Sequence, residues 1–86
     1  MIEMQINFHS HALQRMKERG AKEEEVIAAI ESGEGFEAKF GRHGFRRNFV
    51  FEGEWNGKYY GTKQLEVYTV EEVNSLLVIT VLVKYF

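Results

Sequence analysis

The sequence predicts an α+β fold: two N-terminal helices packed on one face of a twisted, mainly antiparallel sheet of four to five strands. Three observations carry this. Apolar residues recur at helical spacing from Ala12 to Ile30 and at alternate positions after Gly35. Asn56-Gly57 lies between two alternating runs, the strongest short hairpin signal in the chain. And 86 residues suffice for one core, burying roughly 60–65% of the unfolded surface, so residues 1–86 form a single domain.

The elements follow in order. In "IEMQINF", Ile2, Met4 and Ile6 alternate with polar residues, which predicts a short strand from Ile2 to Phe8. Ser10 is a good N-cap for a helix from His11 to Arg19, with Gly20 as its stop. Ala12, Leu13 and Met16 form its docking side, because so short a helix is not stable alone. Glu23, Glu24 and Glu25 fill the first turn of a second helix, where the positive end of the helix dipole favours them. Val26, Ile27 and Ile30 are its buried side, and Gly33 or Gly35 ends it. Strands are then expected over "FEAKF", "FRRNFVFEGEW" and "KYYGTKQLEVYTV", with a turn near "EEVNS". The last run, "LLVITVLVKYF", is apolar on both faces, the pattern of a central strand.

Counting back from a two-residue turn at Asn56-Gly57 places Trp55 opposite Lys58, Phe49 opposite Gln64 and Arg47 opposite Glu66. Phe49 and Phe51 would then share a face with Gln64 and Glu66, a conflict if only one face is covered. A β-bulge that shifts the register resolves it, and Gly53 and Gly61 are its expected sites.

Composition narrows the chemistry. Cysteine is absent, which excludes disulfides, thiolate nucleophiles and thiolate metal sites and fits a reducing, cytoplasmic setting. No apolar run approaches the length of a membrane-spanning helix, and the N-terminus lacks the pattern of a signal peptide, so no membrane association is expected. Net charge is −2, but it is segregated: Lys22 to Glu37 carries six glutamates and one lysine, whereas "KFGRHGFRR" carries four cations and no acid. No phosphate-binding Gly-rich loop, dinucleotide fingerprint or Ser-His-Asp arrangement is present, so no cofactor is expected.

Three constellations remain. His11, at the start of a helix, suits a general acid or base at a phosphodiester; equally, it fixes the helix start by a hydrogen bond. Arg15 and Arg19 recur at helical spacing and would clamp phosphate, or pair with Glu23 to Glu25. In "FGRHGFRR", Arg42, Arg46 and Arg47 offer charge and Phe45 a stacking surface, with Lys63 as a further phosphate partner; alternatively Phe45 is core and Arg47 pairs with Glu66. His9 and His11 have a ligand-like spacing, but a helix starting between them would turn the rings apart, and no metal site is expected.

The stretches "SHALQRMKERG" and "EEEVIAAIESGE", with "ITVLVKYF" at the end, resemble the bacterial domain-of-unknown-function family 4258 over nearly the whole chain. The residues that match its pattern are His11, Arg15, Arg19 and Gly20. The resemblance implies an α+β fold similar to RelE/ParE-type toxins and, more remotely, to barnase-like ribonucleases, with no established activity. The expectation is a small cytoplasmic toxin-like module that binds RNA or cleaves it without a metal, with His11 as acid or base and Arg15, Arg42, Arg46, Arg47 and Lys63 holding phosphate. The alternative is a non-catalytic interaction module, a homodimer or the partner of another small protein.

Overall fold

The computed structural model describes residues 4–86. Ile2 and Glu3, in the first expected strand, lie outside them. The order is β1 (Gln5–Phe8), α1 (Ser10–Arg19), α2 (Glu23–Ser32), β2 (Glu34–Glu37), a 3₁₀ turn (Lys39–Gly41), β3 (His43–Trp55), β4 (Lys58–Glu72) and β5 (Ser75–Tyr85). The five strands form one sheet in the order β1-β5-β4-β3-β2. Every pairing is antiparallel except β1 with β5. Both helices cover one face: α1 lies on β5, and α2 lies across β4 and β3. This is the α+β arrangement that the sequence predicts.

The core sits between that face and the helices. Ala12, Met16, Val26 and Ala29 meet Leu65, Val67, Val78 and Val81, all buried. Two of the four helical contacts are alanines, which lets the helix axes approach the sheet closely. Leu13, expected at the interface, is 41% exposed, because α1 docks through the Ala12–Met16 stripe.

Two bulges decide which residues face the helices. The β3–β4 register shifts between Val50 and Gly53, where Glu52 has φ 44, and Gly61 lies opposite the extra residue. Asn56 (φ 51) and Gly57 (φ 81) form the expected turn, and Trp55 pairs with Lys58. Beyond the bulge, however, Arg46 rather than Arg47 lies opposite Glu66, and Phe49 lies opposite Lys63 rather than Gln64. One inserted residue inverts the facing of everything before it, so Phe45 and Phe49 join Val67 and Leu65 under the helices. The second bulge is in β5: Val78 pairs with Thr69 and Thr80 with Tyr68, leaving Ile79 over. Inward residues switch from Leu76 and Val78 to Val81 and Val83. This parity change, as much as burial, is why the strand reads apolar on both faces. β5 is also central only along part of its length, since β1 pairs just Ser75–Val78.

Two local readings are corrected. The cap of α1 is His9, whose Nδ1 accepts from the His11 backbone N–H at 3.0 Å, and Ser10 is already helical. Extended backbone after Gly33 begins at Glu34 and ends at Glu37, so Phe40 lies in a turn rather than in a strand.

Candidate functional site

The residues of the "SHALQRMKERG" motif divide by where α1 places them. His11 is exposed in the first turn. His9 and His11 are joined through ring nitrogen and backbone, not as two rings on one ion. Arg15 pairs with Glu18 at 2.9 Å on the surface, not with the acidic start of α2. Arg19 donates to the Val81 carbonyl at 2.7 Å, a point on β5 where β1 no longer pairs. Gly20 ends the helix at φ 80, donating its N–H to the Met16 carbonyl. Its own carbonyl accepts from Lys63 Nζ at 2.6 Å. The Arg19 carbonyl accepts from the Tyr85 hydroxyl at 2.7 Å.

Lys63 is 3% exposed and faces the helices, where its ammonium also pairs with Glu25 at 2.7 Å. The bulge put it there. It ties the end of α1 and the start of α2 to β4, and that position is closed to a phosphate. Arg47 is likewise under the helices: it donates to Ser32 Oγ at 2.8 Å and lies 4.9 Å from the Phe49 ring centroid, closing the C-terminal end of α2. Phe45, a stacking candidate from sequence, packs against the core.

The uncovered face holds a different group. Arg46 Nε donates to Glu66 Oε2 at 2.9 Å, and the Tyr68 hydroxyl donates to Glu66 Oε1 at 3.1 Å. The Arg46 guanidinium also lies 4.7 Å from the Phe36 ring centroid, and Phe36 meets Tyr68 edge-on at 5.9 Å. Gly44 makes room for this: a Cβ there would sit 2.4 Å from the Phe36 ring. Burial acts to raise the Glu66 carboxyl, but hydrogen bonds from Arg46 and Tyr68 and the charges of Arg46 and Lys84 outweigh it, and its pKa lies below the ordinary value. Burial, and then the bond to Glu66, raises Tyr68. The bond to Glu66 holds Arg46 more firmly protonated.

The unfolded chain binds the Glu66 proton more tightly than the folded one, so the carboxylate stabilises the fold above the ordinary glutamate range. That contribution is lost as pH falls through the lowered folded pKa. Thermal melts from about pH 7 down to about pH 3 are expected to show a shallower acid loss for Glu66→Gln than for wild type. Equal slopes would remove Glu66 from the account.

Beside this group is a cavity of about 450 Å³ lined by residues 36–40, Arg42 and Tyr68. Three of its residues are aromatic: Phe36, Phe40 and Tyr68. Arg42 lies 5.8 Å from the Phe40 ring centroid. Lys39 and Arg42 are exposed and make no ion pair among the described residues. The sequence shows Phe36 and Phe40 as members of one alternating strand; that they surround a cavity with Tyr68 follows from the turn at Lys39–Gly41 and from the β3–β4 register, neither of which has a local signal.

His11 and the basic segment do not converge. Arg46, between inward Phe45 and Arg47, faces the open side, whereas α1 covers the other side. His43 shares a row with Phe8 through Thr69 and Val78, three strand spacings or about 14 Å across the sheet. Among the described residues no three carboxylate, histidine or cysteine side chains cluster as metal ligands. No helix among them is long and apolar enough to cross a membrane.

A family model described as "Domain of unknown function (DUF4258)" matches residues 8–83. No curated protein and no solved structure matches the chain.

Proposed function

The chain belongs to the DUF4258 family, whose description assigns no function, and from its own geometry we propose that it is a single-stranded RNA-binding module working through the open face of its sheet. The observation that carries this is the cavity at the β2–β3 hairpin: three aromatic rings beside two cations that make no ion pair among the described residues. Aromatic rings accept the π-face of any base, and adjacent cations hold the backbone, which is how sequence-tolerant single-strand binders work. Of the cations proposed from sequence to hold phosphate, Arg42 keeps that role and Lys39 joins it. Arg46 orients the aromatic wall through Glu66. A toxin-like role would rest only on the fold similarity to RelE/ParE-type toxins that the family resemblance implies.

Cleavage by His11 is not part of this reading, because His11 and the cavity lie on different sides of the sheet. A labelled single-stranded oligoribonucleotide is expected to bind in fluorescence anisotropy, more weakly as salt rises. The Lys39→Ala/Arg42→Ala variant should reduce the slope of log K against log salt by about 1.4, two phosphate contacts at ~0.7 each. His11→Ala should bind like wild type, and the RNA should be recovered intact. Absence of binding at low salt would sink the proposal.

A further inference from the structure

The β2–β3 hairpin holds a phenylalanine where the backbone favours glycine or asparagine. Phe40 has φ 63 and ψ 35, and it is 87% exposed. Residues with a Cβ rarely adopt this left-handed conformation, and a large apolar side chain gains nothing by standing in water. The loop that imposes it is well tied. The Ala38 N–H donates to the Arg42 carbonyl at 2.9 Å, and the Arg42 N–H donates to the Lys39 carbonyl at 3.4 Å. Gly41 follows at φ 70. Strain of this kind persists where surrounding structure enforces it, and it concentrates at functional sites.

Phe40 belongs to the wall of the 450 Å³ cavity, together with two rings that are themselves fixed. Tyr68 is anchored by its hydroxyl on Glu66, and Phe36 lies over Gly44 with no room for a Cβ beneath it. A volume in this range accepts a small planar ligand unit.

We propose that Phe40 is one jaw of an aromatic clamp: a single unstacked RNA base enters between Phe40 and the Phe36–Tyr68 pair, while Arg42 and Lys39 hold the two phosphates that flank it. This rests on the RNA reading above and adds to it the unit that is bound and the residue that selects it. A clamp needs both π-faces of a base, which a paired and stacked duplex does not expose. Single strands are therefore selected by shape, without base-edge readout.

Asparagine tolerates the left-handed turn, so Phe40→Asn separates the clamp from the fold. With a single-stranded oligoribonucleotide carrying one 2-aminopurine, wild type is expected to quench the fluorophore on binding and to bind the corresponding duplex at least about ten-fold more weakly. Phe40→Asn should melt at or above the wild-type temperature, lose the quenching, and bind the single strand about ten-fold more weakly, the loss of one base–aromatic stack. Retained quenching or unchanged affinity in this variant overturns the clamp while RNA binding itself stands. No binding of either RNA by wild type overturns both.

Discussion

Glu25→Ala is expected to cost about 3 kcal/mol, more than replacing its partner, Lys63→Met. The pair is asymmetric. The Lys63 ammonium is enclosed under the helices, whereas the Glu25 side chain is 18% exposed. Removing Glu25 leaves the ammonium in the interior with the Gly20 carbonyl as its remaining hydrogen-bond partner. Removing Lys63 leaves a carboxylate that can turn to water and a carbonyl short of one donor, while methionine keeps much of the stem's packing; that should cost about 1–2 kcal/mol. Urea titrations with unchanged m-values would give both differences. A Glu25→Ala protein within about 1 kcal/mol of wild type, or a larger loss for Lys63→Met, would mean that the ion pair does not hold the helices to β4.

Gly20→Ala is the second large effect. A left-handed residue with a Cβ costs about 1–2 kcal/mol and overpacking adds about 1–3, so the sum is about 2–5 kcal/mol. The overpacking is specific. A Cβ at Gly20 would lie 2.5 Å from the Tyr85 hydroxyl and 2.8 Å from the Trp55 ring. Those two rings are stacked at 5.0 Å, and Tyr85 also bonds the Arg19 carbonyl, so neither yields freely. Burial, and then the nearby Glu25 charge, also raises the pKa of the Tyr85 hydroxyl. For a domain of this size the melting temperature should fall by at least about 8 °C. In a Trp55→Leu background the same substitution should cost less, because one of the two clashes is gone, while the conformational part stays. Additive losses would show that Trp55 is not what limits Gly20.

These two sites explain why the "SHALQRMKERG" stretch looks structural at its C-terminal end. Arg19 and Gly20 bond the sheet and accept its side chains. His11 and Arg15 stay on the surface, where the structure gives them no comparable partner in the sheet. The cation candidates separate in the same way. Arg47 and Lys63 serve the helix–sheet interface, Arg46 serves Glu66, and Arg42 remains at the surface beside a cavity. Residue type alone shows six groups able to meet a phosphate, but not which of them the fold has already engaged.

Features that depend on a few neighbouring residues are legible in the chain itself. Asn56-Gly57 requires positive φ at both positions and so makes a hairpin; Gly20 stops a helix because it alone tolerates φ 80 there; the shift from helical to alternating spacing separates helices from sheet. The conflict between Phe49 and Gln64 even announced a bulge. Facing and partnership come from the packed sheet as a whole. A strand's side chains alternate, so a single extra residue between Val50 and Gly53, or at Ile79, reverses which of them meet the helices. The cost of leaving Phe45, Phe49 and Val81 in water is paid or avoided by the whole sheet at once. That is why the bulge buries Lys63, sends Arg46 to the open face, and leaves Arg42 and Phe40 beside the cavity.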